Sequence, residues 1–146
     1  YYNYATDVEF TAPGRIDDTA EVFGRIQWLG GIGVVPSLAI YYDLDQAEGI
    51  YGEAGFTYTP DKYHDVEYGF SAMLGYASSD WNNYYFEVND SSFVNFDFDV
   101  FMIWPIEDNV SAKLFLGYSA LVDEELQDAV GDDNNVYGGL GITLSF

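Results

Sequence analysis

From Val136 to Phe146 the chain places apolar residues at alternate positions. Leu140, Ile142, Leu144 and Phe146 are separated by Gly141, Thr143 and Ser145. Successive side chains of a strand point to opposite faces, so a strand here has one wholly apolar face and one small, polar face. The rest of the chain repeats the pattern.

Read for a period of two, the sequence yields about eight strand candidates of roughly the 9–11 residues that a tilted strand needs to cross a bilayer. Their apolar faces all fall on even numbers. Tyr1–Thr11 carries Tyr2, Tyr4, Val8 and Phe10, and Thr19–Leu29 carries Val22, Ile26 and Trp28. Val35–Asp45 carries Leu38, Ile40, Tyr42 and Leu44; Ile50–Thr59 carries Ala54, Phe56 and Tyr58. Val66, Tyr68, Phe70, Ala72, Leu74 and Tyr76 mark a fifth strand, and Val94, Phe96, Phe98, Val100, Met102 and Trp104 a sixth. Val110, Ala112, Leu114, Leu116 and Tyr118 mark a seventh, and the terminal stretch is the eighth. A sustained helical period is lacking, although Asp123–Val130 has room for one helical turn within its loop.

Connections alternate in length. Gly30–Val34, Pro60–His64 and Pro105–Asn109 are short; Ala12–Asp18, Gln46–Gly49, Ala77–Ser92 and Leu121–Asn135 lie at the other end, the last two long and acidic. The expected architecture is therefore all-β, a single domain over residues 1–146: an antiparallel up-and-down transmembrane β-barrel with short turns on one side and longer loops on the other. A soluble barrel of the lipocalin sort, binding a small apolar ligand, also alternates, but turns its apolar face inward.

Three features favour the apolar face pointing outward. Trp28, Tyr42, Tyr58, Tyr76, Trp104, Tyr118 and Phe146 sit near strand ends on that face, where aromatic girdles meet the membrane interface. The opposite face is rich in Gly, Ser, Ala and Thr, which leaves packing room inside a narrow barrel. That face also mixes charges: Arg25 and Lys113 lie among Glu21, Glu53, Glu67, Asp97 and Asp99, and enclosed charges must be paired. These seven residues form the expected lumen network.

Four Lys and Arg against 25 Asp and Glu give a net charge of -21. That balance excludes nucleic acid as a partner and argues against peripheral attachment to anionic lipid. With no Cys, disulfides and thiolate metal sites are excluded. Hydrophobic residues make up 49% of the chain, well above a disordered composition. No apolar run approaches the roughly 20 residues of a membrane-spanning helix, a test that barrels escape. The chain begins at Tyr1 without Met or a signal peptide, which suggests a removed leader or an incomplete N-terminus.

The terminal strand, with Leu140, Ile142, Leu144 and a final Phe146, resembles the assembly signal of bacterial outer-membrane barrels. Val35-Pro36-Ser37-Leu38-Ala39-Ile40-Tyr41-Tyr42-Asp43-Leu44-Asp45, then Gly49-Ile50-Tyr51-Gly52-Glu53, resembles the TorF-type porins of Gram-negative bacteria. Gly75–Phe86 and Tyr137–Phe146 are similar in the same way. The resemblance covers most of the chain from about Val35 onward. Members of that family are usually longer, so strands upstream of Tyr1 are an open possibility. The resemblance implies residence in the bacterial outer membrane, with membrane lipid and the barrel-assembly machinery as partners. Oligomeric state is open.

Enzymatic activity is not expected. The single His64 lies in a short turn among Asp61, Lys62 and Asp65, away from the rim where a Ser–His pair would work. Cofactors are not expected either. Divalent cations at the acidic loops are a weak alternative, with Asp123, Glu124 and Asp128 as candidates. Glu125 lies beside them and Asp132–Asn135 follow, but the spacing does not match an EF-hand. Asp80–Phe86 offers an aromatic surface, either for binding or for packing over the rim. Two roles remain: a porin-like barrel with an acidic, constricted lumen, and a structural or adhesive anchor that carries acidic extracellular loops without transport.

Overall fold

The computed structural model describes residues 4–5, 20–29, 33–131 and 133–145. The strands are β1 (Tyr4–Ala5), β2 (Glu21–Gln27), β3 (Val34–Asp43), β4 (Ile50–Tyr58), β5 (Glu67–Ala77), β6 (Ser92–Glu107), β7 (Val110–Leu121) and β8 (Asn134–Leu144). Two helices, α1 (Ser79–Phe86) and α2 (Glu124–Val130), lie in the β5–β6 and β7–β8 connections. Every strand pairs antiparallel with the next, so the sheet runs in sequence order. The up-and-down order expected from the sequence is thus observed, with seven full strands and the two described residues of β1. Among the described residues no pairing joins β8 to β1. Phe146, most of the first expected strand and the 12–18 loop lie outside the described residues.

Turn chemistry sets the short end. His64 and Asp65 both have positive φ, 50° and 66°, flanked by the Tyr63–Val66 bridge. A two-residue hairpin needs that left-handed pair to match the twist of its strands. At the β6–β7 end, Pro105 was expected in the turn; instead the strand runs on to Glu107. A register shift between Pro105 and Glu107 marks a bulge, one of the few sheet positions where a residue without N–H is tolerated.

The even-numbered face is the exposed one. Leu38 is 48% exposed, Leu116 55%, Ile142 73% and Leu140 79%; Val22, Ile26, Ile40, Phe96, Phe98, Val100, Met102 and Leu114 are exposed as well. Phe70, Ala72 and Leu74 on that face are half-buried and Ala112 is buried, and one expected member departs in its facing. Val94 is buried, and Phe93 is exposed beside Tyr76 with ring centroids 5.5 Å apart. A bulge explains it: Leu74 pairs with Phe96 but Tyr76 with Phe93, and one extra residue reverses facing beyond that point.

The core sits at the long-loop end. Ala77, Val94 and Leu126 are buried together, with Tyr51, Trp81, Phe86, Val88 and Leu121 packed around them. Helix α1 was not foreseen. Its eight residues show no apolar stripe, and Ser78 at its N-cap makes no side-chain capping bond, so tertiary contacts hold it. Asn82 is fully buried, and its amide nitrogen donates to the Asp90 carbonyl at 2.8 Å and to Ser92 Oγ at 3.2 Å.

Candidate functional site

The odd-numbered face carries the polar chemistry. Register places Arg25, Ala39 and Glu53 in one row across β2, β3 and β4. Ala39 is buried and small, so the long Arg25 side chain passes over it to Glu53. Arg25 Nη2 lies 3.7 Å from Glu53 Oε2. Tyr41 bridges the two: its hydroxyl accepts from Arg25 Nη2 at 3.1 Å and donates to Glu53 Oε2 at 3.3 Å. The side chains are 49% and 17% exposed respectively.

Farther round the sheet, the Tyr51 hydroxyl donates to Asn95 Oδ1 at 2.8 Å, and the Asn95 amide donates to Asp97. The Tyr137 hydroxyl donates to Asp99 Oδ1 at 2.9 Å. Glycines make these contacts fit. A Cβ at Gly75 would strike Asn95 and the Tyr51 hydroxyl, and one at Gly117 would strike the Tyr137 ring and Asp99. At Gly139 a Cβ would come within 2.8 Å of the Phe115 ring.

The expected charge network is therefore only partly gathered. Arg25 reaches Glu53. Glu67 meets Lys62 at the short end, 3.7 Å away. Lys113 stands over the rings of Phe101 and Phe115, 5.7 Å from each centroid, a cation–π geometry. Asp97 and Asp99 are held by neutral donors, and Glu21 lies in register opposite Asp43. A cavity of about 210 Å³ opens between Arg25, Glu53, Asp97 and Asp99, with Ser37, Thr57 and Ser71 beside them. It is lined from all of β2 to β6, strands that would span about 19 Å if flat. So small a space touches all five because the sheet curls around it.

An aromatic ladder leads from this wall to the loops. Phe23 stacks on Tyr41 (5.6 Å), Tyr41 neighbours Tyr51 (5.9 Å), Tyr51 stacks on Trp81 (5.1 Å), and Trp81 meets Tyr85 (4.4 Å). Trp81 also closes over Gly49, where a Cβ would stand 2.5 Å from the Trp81 backbone nitrogen. The Asp80–Phe86 segment thus packs Trp81 and Phe86 inward and leaves Tyr84 and Tyr85 exposed. Partial burial, with Asp43 nearby, holds the Tyr85 phenol above its ordinary range. Beneath it, Asp43 Oδ1 accepts from the backbone nitrogens of Asp45, Gln46 and Ala47, which folds the β3–β4 connection.

Asp123 is a helix cap. Its Oδ1 accepts from the backbone nitrogens of Glu125 and Leu126 at 3.0 and 3.3 Å, satisfying donors that the first turn of α2 leaves open. Glu124 and Asp128 are exposed on that helix. Among the described residues, no group of three or more His, Asp or Glu is arranged to hold a metal ion. His64 is exposed in its turn, edge-on to the Tyr63 ring.

The proposed girdle residues occupy two levels. Trp28, Tyr58 and Trp104 lie toward the short turns; Tyr42, Tyr76 and Tyr118 lie toward the long loops and are exposed. Leu140, Ile142 and Leu144 line the exposed even face of β8.

The sequence matches no family model and no curated protein.

Proposed function

We propose that this chain is a bacterial outer-membrane β-barrel, porin-like in a restricted sense, with a narrow acid-lined interior that favours small cations. The observation that carries the reading is the even-numbered face. Monomeric soluble proteins rarely leave more than a few hundred Å² of contiguous apolar surface uncovered, whereas here every full strand presents exposed Leu, Ile, Val or aromatic side chains on one face. Lipid is the solvent that suits such a surface. A soluble barrel would bury it and expose the odd face, so the orientation supports the membrane reading over the lipocalin-like one. The resemblance to TorF-type porins belongs to this proposal.

The interior sets the size limit. Eight strands enclose a space that side chains nearly fill, and Phe23, Tyr41, Tyr51, Phe101 and Phe115 narrow it further. Glu53, Asp97 and Asp99 bias what remains toward cations. Reconstitution into planar bilayers tests the reading: it predicts small, cation-selective conductance steps, and large or anion-selective steps would refute it.

The cap supports a second reading. Trp81 on Tyr51 and Leu126 in the buried cluster close the long-loop end. In an anchor without transport that closure persists in the membrane. Folded, lipid-inserted protein without conductance would decide for the anchor.

A further inference from the structure

The cavity on the odd-numbered face holds charges that the protein itself does not balance. Asp97 and Asp99 on β6 are half-buried at its wall. Each is held by one neutral donor, Asn95 for the first and Tyr137 for the second. Among the described residues neither has a cation within ion-pair distance, and Lys113 on the same face stands over two aromatic rings instead. Carboxylates enclosed without a partner are costly, so a cation brought in from outside is favoured there.

The opposite wall differs in sign. Arg25 meets Glu53 at only 3.7 Å, with the Tyr41 hydroxyl accepting from its Nη2. That is a loose contact for a guanidinium, whose fork binds a carboxylate through two parallel hydrogen bonds. Among the described residues Arg25 thus keeps donors for a second carboxylate. Strands β2 and β6 lie four apart in the sheet, so in an eight-stranded barrel they stand across the bore from one another. Register sets the levels. Gln27, Ser37, Gly55, Met73 and Asp97 form one row, and Thr57, Ser71 and Asp99 the next. Arg25 lies one row beyond the first, on the side away from Asp99. Alternate residues of a strand are about 7 Å apart, so Asp97 and Asp99 make two anionic points at that spacing. The space, about 210 Å³, has room for about seven waters and is smaller than the pockets that take drug-sized ligands.

Resting on the barrel reading above, we infer that this cavity is a binding site for a basic α-amino acid of lysine's size. The ligand's carboxylate takes the open edge of Arg25. Its two ammonium groups, about as far apart in the extended molecule as alternate strand residues, take Asp97 and Asp99. Ser37, Thr57 and Ser71 supply hydroxyls between the two walls. A diamine would bring more positive charge but would meet the guanidinium, and a neutral amino acid would leave one acid unmatched.

Three probes dissect the site by titration calorimetry on protein folded into phosphatidylcholine vesicles. L-lysine carries all three groups, 1,5-diaminopentane lacks the carboxylate, and L-norleucine lacks the second ammonium. Lysine should bind about tenfold more tightly than either, the worth of one charge-assisted hydrogen bond. Arg25→Gln should weaken lysine about tenfold and strengthen diaminopentane, because the guanidinium repels a dication. Asp99→Asn should bring lysine down to the level of norleucine. Diaminopentane binding as tightly as lysine to the unsubstituted protein would overturn the amino-acid assignment, and no saturable binding of lysine would overturn the site. The barrel reading is judged separately, by whether the protein enters the vesicles. A protein that folds but stays lipid-free sinks the membrane assignment, and the same titrations in solution still judge the cavity.

Discussion

Trp81 of α1 stacks on Tyr51 of β4, with ring centroids 5.1 Å apart and planes inclined by 23°. The contact ties a loop helix without a side-chain cap to a residue whose hydroxyl is fixed by Asn95. It joins the long-loop cap to the polar wall. Truncating Trp81 to Ala should therefore cost roughly 3 kcal/mol, as removal of a large packed ring does. It should also open residues 78–91 to proteolysis. Urea unfolding and limited digestion check both, and an unchanged digestion pattern would show that α1 holds its place without the ring.

Gly117 gives a sharper steric test. A Cβ there would meet the Tyr137 ring and Asp99 together, the pair joined by the hydrogen bond from β8 to β6. Gly117→Ala should destabilise by about 1–3 kcal/mol through overpacking. Gly24→Ala, whose Cβ would meet nothing within 4 Å, serves as the control in the same denaturation series.

The Arg25–Glu53 pair should contribute little to stability. Arg25 is half exposed, and water screens it, so Arg25→Ala should cost about 0–1 kcal/mol. In the proposed barrel its effect would fall on the charge of the interior: removing the cation beside Glu53, Asp97 and Asp99 should raise cation selectivity in bilayer recordings. A fall in selectivity would contradict the acid-lined interior.

Strand facing was legible because a period of two follows from backbone geometry alone. Leu38, Ile40, Leu114 and Leu116 are exposed on the face their numbers assigned. Legibility failed where the count of residues against the partner strand changed. At Val94 one inserted residue reversed the facing, and nothing in the local sequence marks the insertion. Pro105 read as a turn because a bulge cannot be seen without its partner. The pairing on the odd-numbered face was half visible. Opposite charges at Arg25 and Glu53 suggest a contact, but Tyr41 between them and the rings beneath Lys113 depend on register. Helix α1 left no periodic trace, since it is held by Trp81 and Asn82 reaching other segments. The recurring glycines at 75, 117 and 139 were the available clue: each lies opposite a ring or amide that needs the space.

Charge placed on the two faces should be tolerated unequally. Phe98→Arg or Leu116→Arg, in mid-strand on the exposed apolar face, should cost about 2–4 kcal/mol at the bilayer midplane. Arg in place of Ser111, on the polar face, should cost less. Urea titration of protein folded into vesicles measures the difference; equal tolerance on both faces would contradict the lipid-facing assignment.

The central claim is that lipid covers the even face, and it is tested most directly along β6. Single Cys substitutions from Phe96 to Phe101 can each carry a spin label in vesicle-embedded protein, with oxygen and a water-soluble nickel complex as relaxing agents. The account predicts a period of two, with oxygen accessibility highest at 96, 98 and 100 and lower at 97, 99 and 101. Equal access of the aqueous agent to both sets, or a lipid-free protein with the same profile, would contradict it.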